Sequence, residues 1–332
     1  MWSDEQAGAP VQGGSGVCAI LVTYHPDAEF PIRLRRIAPQ VGAILIVDNG
    51  STDAELCMLR DAAADPKIDL MLNCENFGVA RALNLGIRRV AARGCSLALL
   101  LDQDTCVDPD MVQTLLAIHS AFAERGRLAV IGSSFRDPSG PVPDLNDRRT
   151  TDPLWETAES VITSGSLLPL AAYDHIGPFR EEFFIDYVDT EYCYRANAKG
   201  YHVIKSRKPL MSHTIGALSQ HRFLWLKQWT YNHSADRCYY IARNNTVLLR
   251  EYGKCRHSRI QWLLKSFNRC FRMCKRVALY ENRKARKIAA IVSGWRDGVA
   301  GNLGPRRPRR HGPMQQLPSG RTPPPRQQGE RA

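Results

Sequence analysis

Leu97-Ala98-Leu99-Leu100-Leu101-Asp102-Gln103-Asp104 decides how the rest of the chain is read. Five apolar residues in succession, following Gly94 and running into acid, predict a strand buried on both faces, as in the middle of a parallel sheet. Asp102 and Asp104 then stand at its C-terminal end, the edge at which open α/β sheets bind ligands. Two carboxylates one residue apart supply hard oxygen ligands, which makes them candidates for holding Mg²⁺ or Mn²⁺ beside a substrate phosphate. Alone, the pattern would also suit a polar turn closing a core strand, so its neighbours have to decide.

Upstream the same arrangement recurs. Val17 to Val22 predicts a first buried strand ending at Thr23-Tyr24-His25-Pro26, and Ala43 to Val47 a second, ending at Asp48-Asn49-Gly50-Ser51-Thr52-Asp53. Helices are expected over 33–39 and 54–64, a short strand over 68–72, and an amphipathic helix over 79–92, where Val79, Leu83, Ile87 and Val90 recur at helical spacing. This alternation predicts an α/β fold with a mostly parallel, doubly wound sheet flanked by helices. Thr23, Asp48 and Asp102 would face one crevice.

Downstream, a helix over 109–124 and a strand over 128–132 precede a proline- and aspartate-rich stretch, 135–153, expected to be a loop. Ser164-Gly165-Ser166 offers a place where a backbone could approach a ligand closely. The aromatic and acidic segment Phe183 to Arg195 leads into a helix ended by Gly200, and a late strand, 201–204, precedes His213.

Charge is divided unevenly. Residues 1–253 carry 25 Lys and Arg against 30 Asp and Glu, whereas 254–332 carry 20 against 3, so the net charge of +12 arises wholly in the last quarter. Ile260, Leu263, Leu264, Phe267, Phe271, Cys274 and Val277 mark one face of this basic segment, as in a helix that lies on an anionic membrane or docks on a catalytic domain. The ten cysteines form no C-x-x-C pair, and Cys18, Cys95 and Cys193 lie in or beside apolar runs. They are expected to be free thiols acting as small hydrophobes in a reducing cytosol. Cys270 and Cys274 lack the second ligand pair of a zinc site. Residues 1–16 have neither the charged start nor the apolar core of a signal peptide, and no uncharged apolar run of 18 is present to span a membrane. The expected organisation is a loose arm (1–16), a catalytic domain (17–253), a basic helical segment (254–300) and a disordered basic tail (301–332).

Thr23-Tyr24, the 48–53 segment, Asn76-x-Gly78-x-Ala80-x-Ala82-x-Asn84-x-Gly86 and Asp102-Gln103-Asp104 resemble, in order and spacing, the family 2 inverting glycosyltransferases of GT-A fold. The stretch from Ser164-Gly165-Ser166 through Phe183-Phe184-Ile185-Asp186-Tyr187-Val188-Asp189-Thr190-Glu191 to His213 is similar to the bacterial rhamnosyltransferases of O-antigen and related cell-surface polysaccharides. The resemblance covers about residues 17–250. It implies that Asp48, Asn49, Ser51 and Asp53 hold the base and ribose of a nucleotide-sugar. Asn76, Gly78, Ala80 and Asn84 would cradle it, together with Thr23, Tyr24, Gln103, Ser164 and Gly165. Asp102 and Asp104 would bind the metal, with His213 as a further ligand where the family often places one; a structural histidine is the alternative.

An acceptor hydroxyl needs a base as it attacks the anomeric carbon. Asp186, Asp189 and Glu191 compete for that role. The family's base is the Asp of a Glu-Asp pair between paired aromatics and an Arg, which selects Asp189 through Phe183-Phe184 and Arg195, with Glu191 in support. Val188 stands where the pattern has Glu. One base and one metal imply direct displacement with inversion. The resemblance thus implies transfer of L-rhamnose from dTDP-L-rhamnose, or of a sugar from another UDP- or dTDP-donor. The acceptor would be a lipid-linked saccharide at the cytoplasmic face of the plasma membrane. A nucleotidyltransferase would want a basic Gly-rich loop after the first strand, which Thr23-Tyr24-His25-Pro26 is not. The basic tail raises the alternative of nucleic-acid binding, but no recognisable binding fold accompanies it.

Overall fold

A computed structural model of the protein describes residues 16–136, 154–213, 219–223, 226–230, 232–253 and 258–306. Its centre is a run of four parallel strands: β1 (Val17–Thr23), β2 (Ala43–Asp48), β3 (Ile68–Leu72) and β4 (Leu97–Asp102), in the order β3-β2-β1-β4. The register aligns their ends, with Thr23 opposite Asp48 and Val22 opposite Asp102. Polar residues that end separate strands therefore share one edge of the sheet.

Beyond β4 the sheet becomes mixed. β8 (Ser166–Pro169) runs antiparallel between β4 and β6 (Leu128–Arg136), β9 (His202–Ser212) follows parallel to β6, and β5 (Cys106–Val107) and β7 (Trp155–Thr157) pair antiparallel with β9. β6 and β9 both outrun their expected lengths. The late strand expected over 201–204 continues through 212, pairing with β6 as far as Arg136 opposite Ser212. Strand β6 takes in residues 135 and 136 of the loop expected over 135–153, and the rest of that stretch lies outside the described residues. A small hairpin, β10 (Ser219–Phe223) and β11 (Leu226–Thr230), forms a second sheet.

Alternating strand residues build two cores. Ala19, Leu21, Ile44, Ile46, Leu99 and Leu101 pack with α1 (Phe30–Ile37), α2 (Asp53–Ala62) and α4 (Met111–Ala121). Ile20, Leu45, Val47, Ala98 and Leu100 pack with α3 (Val79–Ala91), α5 (Leu170–Ile176) and α6 (Val188–Ala198). Burial on both faces explains why these strands are almost uninterrupted in apolar character. The expectation of free thiols fails at Cys18 and Cys95. Cys18 in β1 and Cys95, just ahead of the neighbouring β4, are joined in a disulfide, because strand pairing brings their Cα atoms to 6.3 Å. Cysteine usage therefore gives no argument for a reducing compartment.

The C-terminal basic segment is two helices, α8 (Arg259–Tyr280) and α9 (Lys284–Ala300), packed with α7 (Ala235–Glu251). α9 meets α7 backbone to backbone: a Cβ on Gly294 would lie 2.2 Å from the Tyr239 carbonyl oxygen, and one on Gly298 would lie 2.7 Å from that of Arg243. Lys287 and Glu281 form a buried ion pair at 2.7 Å between the two C-terminal helices. Residues 301–306 continue onto the domain, where Gly304 N–H donates to the Glu182 carbonyl at 2.8 Å. The remainder of the expected tail and the arm before Gly16 lie outside the described residues. Among the described residues no helix is long and apolar enough to cross a membrane.

Candidate active site

At the aligned strand ends lies a cleft of about 480 Å³, lined by Thr23, Asn49 and Asn76 on one side and by Asp186, Asp189 and Arg237 on the other. Asp102, Asp104 and His213 meet on its floor. Their ligand atoms all lie within 4.8 Å of one another, with His213 Nδ1 3.5 Å from Asp104 Oδ1 and His213 Nε2 4.0 Å from Asp102 Oδ2. β4 delivers the two acids, and the end of β9, eight residues longer than read from the sequence, delivers the histidine. Two carboxylates and one imidazole, open to the cleft, suit a divalent cation that keeps positions for substrate oxygens.

The charge is already costly. The Asp102 carboxyl is pushed up to about 6, first by its withdrawal from water and then by the Asp104 carboxylate, against a smaller opposing pull from His213. A bound cation relieves this repulsion. Hydroxyls behind the cluster hold it in place: the Asp102 N–H donates to Ser164 Oγ at 3.1 Å, Ser164 Oγ lies 2.5 Å from Thr105 Oγ1, and that oxygen lies 3.1 Å from His213 Nδ1.

Asp189 occupies the first turn of α6. Its Oδ2 accepts from the Thr163 N–H at 3.2 Å and its Oδ1 from the Thr190 N–H at 2.7 Å. Burial raises its pKa despite these bonds, a direction that makes the carboxylate a better proton acceptor. Asp186, the competing acid, lines the same cleft but is bound by Arg237, with Nη2 to Oδ1 at 2.6 Å and Nε to Oδ2 at 3.3 Å.

The segment that presents these acids is strained. Phe184, Asp186 and Tyr187 all have positive φ, at 64°, 62° and 64°, a conformation that costs a non-glycine residue about 1–3 kcal/mol. α7 holds it there. Asn244 Nδ2 lies 3.0, 2.9 and 2.8 Å from the carbonyl oxygens of Phe183, Ile185 and Asp186, and the buried Arg243 donates to Glu182 and Phe183 carbonyls at 2.8 and 3.1 Å.

The sequence profile of Glycosyl transferase family 2 matches residues 19–171, which hold β1 to β4 and both acids of the metal-type cluster. The chain is also 30% identical over 255 residues to the dTDP-rhamnosyl transferase RfbF of Shigella flexneri, covering 71% of this chain and 81% of that one. The chain belongs to glycosyl transferase family 2. Solved structures agree on the fold. The mannosyltransferase PcManGT from Pyrobaculum calidifontis, solved with GDP-Man and Mn²⁺, aligns over 89% of this chain and 90% of its own at a TM-score of 0.54 and 14% identity. S. aureus TarS 1–349 aligns over 85% and 80% at 0.51 and 16%.

Within the transferase, ten residues singled out from the sequence line the cleft: Thr23, Tyr24, Asn49, Asn76, Gly78, Asp102, Gln103, Asp104, Asp189 and His213. Others lie behind it. Asp48 is 1% exposed, and its two oxygens accept from Thr23 Oγ1, Ser51 Oγ and the N–H groups of Gly50 and Ser51, so it shapes the turn from within. Asp53 is exposed at the start of α2, away from the cleft wall. Ala80 is buried in the core. Asn84, also fully buried, bonds the Phe179 N–H and carbonyl, Glu181 and the Tyr173 hydroxyl, which fills its capacity inside the fold.

The two glycines are required by the protein's own packing. A Cβ on Gly78 would sit 2.6 Å from the Phe184 carbonyl oxygen, and one on Gly165 would sit 2.6 Å from Met211 Sδ. Ser164 carries Asp102 from behind, as described. Glu191 is buried in a bidentate pair with Arg195 at 3.0 and 2.9 Å and accepts from the Tyr252 hydroxyl, so it braces α6 rather than Asp189. The sequence reading missed Thr105, Arg237, Arg243 and Asn244. The signal available for the last two was an Arg-Asn pair in the middle of an apolar helix.

Proposed function

We propose that this transferase moves L-rhamnose from dTDP-L-rhamnose to the hydroxyl of a lipid-linked saccharide, with inversion. The identity to RfbF across most of both chains supports the donor. The single observation that carries the chemistry is the cleft geometry: one half-buried carboxylate, Asp189, on the wall and an Asp-Asp-His cluster on the floor. Asp102, Asp104 and His213 would hold Mg²⁺ or Mn²⁺, and such an ion supplies neutralisation of the charge that develops on the departing nucleoside diphosphate. Asp189 takes the proton of the acceptor hydroxyl as that oxygen attacks the anomeric carbon. Asp186 is paired with Arg237, so a single carboxylate is left for this role, as direct displacement requires. A donor linked β to its diphosphate then yields an α-linked product, or the reverse.

The outward side of α8 supports association with a membrane surface. Its buried side is Trp262, Ser266, Cys270 and Val277, while Ile260, Leu264, Phe267 and Phe271 stand exposed on the opposite side. The apolar stripe read from the sequence is thus divided, and its outward half is flanked by basic side chains that suit an anionic bilayer, each worth about 1 kcal/mol near such a surface. Such a surface supports a peripheral position at the cytoplasmic face, where nucleotide-sugars and lipid-linked acceptors would meet.

The test is donor binding and hydrolysis across UDP-, GDP- and dTDP-sugars with Mn²⁺ or Mg²⁺, using wild type and Asp104→Ala. Preference for dTDP-rhamnose, lost in EDTA and in the variant, is the expected result. Metal-dependent use of another donor overturns the rhamnosyl assignment, and no binding to any donor overturns the transferase mechanism.

A further inference from the structure

A second cavity, of about 640 Å³, opens beside the catalytic cleft and shares Asp186, Tyr187 and Arg237 with it. Thr190, next to the proposed base, lines it too. Its outer wall is α8, which contributes Arg269, Arg272 and Arg276 at spacings of three and four, so all three project from one flank of the helix. Arg269 Nη2 reaches the Tyr187 hydroxyl at 2.9 Å. Neither Arg272 nor Arg276 has a carboxylate partner among the described residues. The two acids in the cavity are already neutralised, Asp186 by Arg237 and Glu281 by Lys287. The cavity is therefore a net positive chamber whose guanidinium forks await oxyanions.

Its position excludes the donor. The donor diphosphate would belong with the Asp102-Asp104-His213 cluster on the cleft floor, none of which lines this chamber; the chamber lies past Asp186 and Tyr187 and takes in Thr190, the neighbour of Asp189. We infer that the chamber binds the diphosphate of a lipid-diphosphate-linked acceptor, with Arg272 and Arg276 as its principal ligands. This rests on the proposed transfer to a lipid-linked saccharide. The volume admits a diphosphate with one or two sugar rings, which spaces the anion from the reacting hydroxyl. The exposed apolar stripe on α8 runs along a different side of the same helix, so the lipid chain leaves toward the bilayer while its diphosphate stays in the chamber.

The experiment uses the full chain in EDTA with no donor present, which removes metal-dependent diphosphate binding and so reads the chamber apart from the donor site. Calorimetric titration with farnesyl diphosphate and with inorganic pyrophosphate is expected to show binding to wild type and to Asp104→Ala alike. Weakening of at least about tenfold is expected for the Arg272→Ala/Arg276→Ala double variant, whose substitutions lie on an exposed flank and leave the melting temperature in place. Partial recovery in Arg272→Lys/Arg276→Lys supports charge recognition. Equal binding by the double alanine variant, loss of binding in Asp104→Ala, or failure of wild type to bind farnesyl diphosphate overturns the inference. A fourth outcome also does: a double variant that keeps farnesyl diphosphate but no longer sediments with phosphatidylglycerol vesicles would assign the arginines to the bilayer instead.

Discussion

The two walls of the cleft are built in opposite ways. On the β1–β2–β4 side, ordinary strands end in step, and the polar groups at their ends satisfy one another locally, as Asp48 does with Thr23 and Ser51. On the Asp189 side, the backbone from Phe184 to Tyr187 is forced into an unfavourable region and held by side chains about sixty residues away in sequence. The strand ends of the first wall are set by the sheet's own register. The second needs a helix that has nothing to do with the sheet's registry, so its geometry can be lost while the first wall survives.

The sharpest break between the walls is Asp189→Asn. Transfer should fall by a factor of about 10³ or more, while donor affinity stays within twofold, measured by acceptor-dependent turnover and by titration with the donor. A comparable loss of donor binding would merge the two walls into one. The pH profile sharpens the same point. The base works ionised and burial raises its pKa, so turnover should rise with pH through a midpoint above the ordinary carboxylate range near 4, and that acid limb should vanish in the variant. Asn244→Ala removes the amide whose two N–H groups hold three carbonyls of the strained loop and should lower kcat about a hundredfold with donor affinity preserved. A variant with unchanged kcat would show that the loop keeps its shape unaided. Asn84→Ala should act on the fold alone, costing about 2 kcal/mol in denaturant unfolding because the Tyr173 hydroxyl and Phe179 N–H lose their acceptor. A change in donor affinity beyond twofold there would return Asn84 to the binding wall.

The contrast also explains what the sequence made legible. β1, β2 and β4 announce themselves because burial on both faces demands unbroken apolar runs, and Asp102 and Asp104 stand out by ending one. The Asn-x-Gly-x-Ala-x-Ala-x-Asn-x-Gly spacing misled in part. Positions 80, 82, 84 and 86 point in several directions around α3, and all are buried, since that helix lies between the sheet and the 179–183 segment. Gly86 is small because a Cβ there would meet Ile20 at 2.7 Å, and no ligand is involved. Asp189 emerged from resemblance, but its support from Thr163 could not, because the turn ahead of β8 and helix α6 come together only in the folded molecule. Arg243 and Asn244 carry no local signature of their targets, the backbone carbonyls of a distant loop.

The close seating of α9 on α7 gives the molecule a calendar. As the chain leaves the ribosome, β1 to β4 emerge long before the helix bearing Gly294 and Gly298. Arg243 gains its last acceptor only when the Gly304 carbonyl is in place. A chain that stops before Gly304 thus lacks part of the scaffold behind the Asp189 wall, and the bracing of that wall is among the final properties the growing polypeptide acquires.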